Sequence, residues 1–256
     1  MSTERQITPL SIVKEGQQGD IFMAECVVVP GHSIERVGEN EWVPSRLIQE
    51  VDDRGWRTGK RNQNLGPDSE NAIVGGGHAV VLAAEQCCSE LSAVGQPPKL
   101  VIFSGGRPGY LNENAPDKPE LCEATPMMGA FGQTPKETGV VALTESQTTL
   151  DDIRNSIQYA LSHGLNRVAF ILMDVRLERA SALWEMMKSN DTNMGSLDVR
   201  FLPAEEFLTR HFRSHPAYEN VLSAYQSSHA LNSTRLDEAR GAEAARNGTY
   251  QGTGNY

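Results

Sequence analysis

The residues best suited to chemistry in this chain stand just after short apolar runs. The run Cys26-Val27-Val28-Val29-Pro30 leads into Gly31 and His32. A glycine at that place lets backbone N–H groups face a ligand. A neutral imidazole there serves as a general acid or base near pH 7, or else as a loop histidine bonded to a backbone carbonyl. The run 99–103 leads into Ser104, Gly105, Gly106 and Arg107. Consecutive glycines can form a nest of amides for an anion, and a guanidinium adds a planar fork of donors. The competing reading is a tight strand-to-loop turn. Glu123 and Glu145 are candidate paired carboxylates, able to act as acid and base, orient hydroxyls or hold a cation. Glu145 opens Glu145-Ser146-Gln147-Thr148-Thr149, where it could instead cap the following helix. Asp174, Arg176 and Arg179 follow the run 167–173. Arginines one helical turn apart share a face and suit a phosphate or carboxylate, unless they belong to a solvated, salt-bridged helix face.

Two further patterns carry less. Gly75-Gly76-Gly77 opens like a dinucleotide fingerprint, but Val80 stands where Gly or Ala is needed. What remains is a helix N-terminus able to receive an anion. His211 and His215 are four apart, yet no acid follows the first and Pro216 adjoins the second, so no metal site is expected.

The elements that must position these groups follow from hydrophobic periodicity. Segments 26–31, 99–106, 140–143, 167–173 and 198–202 are short apolar runs ending in glycine or polar residues and are read as not alternating, as in strands buried on both faces of a parallel sheet. Helical spacing occupies 78–91, 150–161 and 175–188. Thr149 is the expected N-cap of the second helix, with Asp151 and Asp152 at its positive end. Strand and helix alternate, which predicts an α/β, Rossmann-like, doubly wound and mainly parallel sheet with helices on both faces. Segments 33–69 and 107–119 fit neither pattern. Both follow strand ends, where open α/β sheets bind ligands, and they are expected as lids or pocket walls. Residues 1–24 read as an N-terminal extension, 25–247 as one domain and 248–256 as a flexible tail.

Composition bounds the partners. The 256 residues carry 33 acidic and 23 basic side chains, a net charge of −10, which disfavours nucleic acid and anionic membrane as partners. No run of 18 apolar residues occurs, and the polar start lacks the apolar core of a secretory signal. Four cysteines without a Cys-x-x-Cys pair suit reduced thiols and a cytoplasmic location.

Taken in order, the blocks 27–32 (VVVPGH), 100–106 (LVIFSGG), 122–124 (CEA), 144–156 (TESQTTLDDIRNS) and 171–180 (ILMDVRLERA) make residues 25–205 resemble the YdcF/SanA/ElyC-like family, in its soluble PGH-type branch. The resemblance implies a Rossmann-like fold with a pocket at the strand ends. Gly105, Gly106, Glu123, Glu145, Thr148, Asn155 and Arg179 would line or support that pocket. It places a histidine in many members where this chain has Arg176, which cannot shuttle protons at neutral pH. S-adenosylmethionine is the cofactor the resemblance allows. The expected function is an enzyme acting on a small anionic or nucleotide-like metabolite by hydrolysis or group transfer. Glu123, Glu145 and His32 would be catalytic. Gly31, Ser104, Gly105, Gly106, Arg107, Thr148, Asn155, Asp174, Arg176 and Arg179 would bind the ligand. The alternative is a module of the same fold that binds a nucleotide or S-adenosylmethionine without turnover.

Overall fold

The computed structural model describes residues 22–132, 135–191, 194, 196–211, 222 and 225–251. Most of the expected extension (1–21), the end of the expected tail (252–256) and His215 lie outside them. The first apolar run is strand β1 (Cys26–Pro30), and every one of its residues is buried. The insertion after it forms two small antiparallel pairs: β2 (Ile34–Arg36) with β3 (Trp42–Pro44), and β4 (Ile48–Glu50) with β5 (Ala72–Val74). Then come α1 (Gly77–Ala93), β6 (Leu100–Ser104), α2 (Gly109–Asn114), α3 (Ala124–Ala130) and β7 (Gly139–Leu143). The second half holds α4 (Thr149–Ser162), β8 (Arg167–Leu172), a single 3-10 turn (Asp174–Arg176), α5 (Leu177–Asn190), β9 (Asp198–Pro203), α6 (Ala204–Arg210) and α7 (His229–Arg246).

The central sheet is all parallel in the order β7-β6-β1-β8-β9. The continuous apolar runs of the inner strands β6, β1 and β8 follow from this, because both sheet faces are covered there, while the edge strands β7 and β9 stay partly exposed. Side chains alternate along each strand. Val27, Val29, Val101, Phe103, Ala169 and Ile171 pack with α1, α3 and α6 on one face. Cys26, Val28, Leu100, Ile102, Val168 and Phe170 pack with α4, α5 and α7 on the other. Each fully buried Val, Ile or Phe contributes about 1.5–3 kcal/mol, so the two faces together make the strand ends a rigid platform.

The α/β, Rossmann-like expectation therefore holds. The expected N-cap is off by one: Thr148 accepts from the Asp151 amide at 3.2 Å, and Thr149 is the first helical residue. No helix among the described residues is long and apolar enough to cross a membrane. All four cysteines are buried and unbridged.

Candidate functional site

From β1 the chain winds outward to β6 and β7 on one side and to β8 and β9 on the other. The carboxyl ends of β1 and β8 therefore form the crevice where open α/β sheets take ligands. A cavity of about 630 Å³ opens there, within the range of small-molecule sites. The turns after β1, β6, β7 and β8 line it, together with residues 54–57 of the insertion and one side of α7.

Three glycines let the strand ends close on one carboxylate. A Cβ at Gly31 would stand 2.2 Å from Glu123 Oε2, and one at Gly105 would stand 3.0 Å from Gly31 Cα. The Glu123 and Ala124 amides donate to the Gly106 and Gly105 carbonyls at 2.9 and 3.0 Å. The glycine pair thus aims α3 and its leading glutamate at the cavity, and its carbonyls hold the α3 start. Glu123 is 9 % exposed, and its Oε1 accepts from the Tyr110 hydroxyl at 3.2 Å. Burial raises its pKa, while Arg57, Arg176, Tyr110 and the Ser33 amide pull it back. A buried carboxyl group with a raised pKa, held in a cavity, is the kind of group that exchanges protons.

The second carboxylate of the cleft is not Glu145, which is exposed and does not line the cavity. It is Asp152, one turn into α4, where it accepts from the Ser104 hydroxyl at 2.8 Å. The glutamate left the strand end pointing outward, and the helix start turned the aspartate in. Ser104 also meets the Ser146 hydroxyl at 3.1 Å, and Asn155 donates to Ser146 at 3.2 Å. Asn155 therefore supports the cavity without lining it, whereas Thr148 lines it. Burial pushes Asp152 well above its ordinary 3.8. The folded state then holds more protons than the unfolded chain above that pH, so stability falls as pH rises through the window. Asp152→Asn keeps the acceptor for Ser104 and is expected to reduce this slope by up to about 1.4 kcal/mol per pH unit. Thermal melts from about pH 4 to about pH 7 would show it, and an unchanged Tm–pH profile would contradict the burial of this charge.

Arg176 and Arg179 both line the cavity, and Arg57 joins them from the insertion. Arg179 Nε lies 2.9 Å from Glu238 Oε2, and its Nη2 donates to Thr149 Oγ1 at 3.0 Å. Arg176 donates to the Gly31 carbonyl at 3.4 Å and stands 4.0 Å from Glu238. Burial, with Arg57 close by, pulls Arg176 down to about 10. Gly241 lets the Arg179 stem pass, since a Cβ there would stand 2.5 Å from Arg179 Cδ. At the rim, the Arg54 guanidinium stacks on Trp56 at 4.7 Å.

His32 lines the cavity, but both of its ring nitrogens are engaged by backbone groups. Its Nδ1 meets the Pro30 carbonyl at 2.9 Å, and its Nε2 accepts from the Met173 amide at 3.3 Å. Burial and Arg176 hold it well below 6.5. It is a neutral clamp between the ends of β1 and β8, with both ring nitrogens used. Beside it Ser33 adopts φ 90°, a strained conformation for a non-glycine, held by its 2.8 Å contact with the Ser45 hydroxyl.

Arg107 is also structural. Its guanidinium binds the Leu111, Ala115, Lys118 and Leu121 carbonyls and Asn112 Oδ1, so it organises residues 107–121 rather than a ligand. Asp174 is exposed and outside the cavity, because it starts the 3-10 turn with its amide donating to Glu205. The glycine-rich start of α1 holds no anion: the Gly77 and His78 amides donate to Ser45, and those of Gly75 and Gly76 to the Leu47 and Arg46 carbonyls. The His211 ring meets Glu90 Oε1 at 2.8 Å.

Sequence reading missed Arg57, Tyr110, Asp152 and Glu238. Trp56-Arg57 in an otherwise polar insertion was a signal for the first, given that such insertions wall pockets. Glu238 carried no local signal, since α7 reaches the site only through packing. Thr249, Tyr250 and Gln251, assigned to the flexible tail, line the cavity. No family model, curated protein or solved structure matches the chain.

Proposed function

We propose that this protein is a cytoplasmic small-molecule enzyme that binds an anionic metabolite at the carboxyl edge of its sheet. The reaction class is hydrolysis or group transfer. Arg57, Arg176 and Arg179 hold the acidic group, and Glu123 moves the proton. The observation that carries this reading is the convergence of three guanidiniums, those of buried Arg57 and Arg179 and largely covered Arg176, from three separate elements, on a cavity that also holds the buried Glu123, whose pKa is raised. Guanidiniums are kept where planar, multidentate anion recognition matters. A relationship to the YdcF/SanA/ElyC-like family rests on the sequence blocks given above, and a cytoplasmic location on the buried, unbridged thiols.

A thermal-shift panel of inorganic phosphate, pyrophosphate, dicarboxylates and nucleoside monophosphates tests it. At about 100 times Kd a bound anion adds roughly 2.7 kcal/mol and raises Tm. Arg176→Ala is expected to abolish the shift. A panel that moves Tm nowhere would remove the reading. Mass analysis of the ligand after incubation then separates turnover from storage: wild type is expected to alter it, and Glu123→Gln to return it unchanged.

One observation favours a second reading, in which a nucleotide or S-adenosylmethionine is bound without reaction. His32 is locked neutral and Arg176 replaces the histidine that the family resemblance expects, so Glu123 would act without an imidazole. Recovery of the bound ligand intact from wild type would select this alternative.

A further inference from the structure

The three arginines are poorly matched to the carboxylate that now faces them. Glu238 reaches Arg179 at 2.9 Å but Arg176 only at 4.0 Å. Among the described residues nothing hydrogen-bonds Arg176 Nε or Arg57 Nε, although both atoms are buried. Arg57 is 8 % exposed, and among the described residues its guanidinium makes only a long 3.4 Å hydrogen bond to the Val74 carbonyl. A carboxylate has two oxygens in one plane and suits a single guanidinium fork. Guanidiniums arriving from the insertion, the 3-10 turn and α5 call for an acceptor with oxygens in three directions. A tetrahedral phosphoryl group has that shape.

Charge points the same way. Three guanidiniums face one close carboxylate partner, Glu238, while burial disfavours the charged forms of Glu123 and Asp152. Positive charge is therefore in excess in the cavity, and the excess grows once Glu238 leaves. A dianion suits that excess.

Resting on the anion-binding reading above, we propose that the site takes a dianionic phosphoryl group, and that Glu238 is its resident stand-in, exchanged when the phosphoryl group binds. Glu238 projects from α7, which is anchored elsewhere by Ala242 and Ala245 in the core and by Gly241 over the Arg179 stem. Exchange withdraws the ion pair that docks the middle of α7. By linkage, phosphoryl binding and tight docking of α7 oppose each other.

The test titrates wild type and Glu238→Gln with pyrophosphate, and with succinate as the carboxylate control, by calorimetry. Gln is isosteric and still accepts from Arg179, so the contact is kept while the competing charge is lost, and the wild-type measurements do not depend on the variant's stability. Pyrophosphate is expected to bind wild type, to bind Glu238→Gln about tenfold more tightly, roughly 1.4 kcal/mol, and to outcompete succinate. Hydrogen exchange on wild type provides a readout free of any variant: residues 234–245 should exchange faster with pyrophosphate bound. Succinate binding as tightly as pyrophosphate would overturn the phosphoryl assignment while leaving an anion pocket. Equal or weaker binding by Glu238→Gln, or protection of α7 by pyrophosphate, would overturn the exchange. If neither probe binds either protein, this proposal and the anion-binding reading fall together.

Discussion

Gly106→Ala is expected to destabilise the protein by about 4 kcal/mol or more, at the upper end for a single methyl group. The added Cβ would stand 1.9 Å from the Ser146 carbonyl oxygen and 2.9 Å from both the Ser146 carbonyl carbon and the Thr144 oxygen. All three are backbone atoms of the loop between β7 and α4, so no rotamer change relieves the clash. The loop would have to move as a unit, and it carries Thr148 and leads directly into Asp152. Close-packed interiors resist such shifts. The damage also reaches Glu123, whose amide donates to the Gly106 carbonyl. Urea melts should show a lower midpoint with an unchanged slope, and Tm should fall by roughly 10 °C. Gly129→Ala is the control, because it lies exposed in α3 with nothing within 4 Å of a new Cβ. It should be neutral or slightly stabilising. A Gly106→Ala loss below about 1 kcal/mol would mean that the strand-end turn is far softer than its contacts indicate.

The second large effect is expected at Arg179. Its side chain is 3 % exposed and that of Glu238 is 6 % exposed, with 2.9 Å between their charged atoms. Arg179→Met leaves a buried carboxylate whose remaining partner, Arg176, stands 4.0 Å away. Stranding one member of a buried pair costs about 3–5 kcal/mol, because desolvation was compensated only by the lost charge. The hydrogen bond to Thr149 at the start of α4 goes as well. The double variant Arg179→Met with Glu238→Met should recover most of the loss, since two packed apolar chains are often as stable as the pair they replace. A double-mutant cycle in denaturant measures the coupling. Additive losses would mean that the pair does not dock α7 onto α5.

How much of the site could be read in advance differs by residue. Gly31, Gly105, Gly106 and Glu123 were legible, because a glycine after a buried strand is a local feature and the strand end places it. Arg176 and Arg179 were legible as a pair for the same reason. His32 was found by position, but the engagement of both its ring nitrogens was not legible. The Met173 amide that occupies its second nitrogen lies just after β8, far away in sequence, and no local pattern shows that contact. Arg107 failed similarly: five acceptors in residues 111–121 fold back around it, so a group that seemed to face a ligand is spent inside its own loop.

The partition between chain and fold follows from the range of the forces. Apolar runs between helical repeats were sufficient to specify a parallel α/β sheet with its cavity at the strand ends, since burial on two faces leaves its mark on the inner strands residue by residue. The net charge of −10 likewise belonged to composition alone. Which carboxylate meets which arginine did not. Glu145 and Asp152 stand in the same block, yet the helix start points one to solvent and the other onto Ser104. Arg57, Arg176 and Glu238 come from an insertion, a 3-10 turn and the last helix, and they share a cavity only because β1 and β8 lie side by side. Strand order and helix docking are set by burial summed over the whole chain, and electrostatic partners at the site are a consequence of that sum.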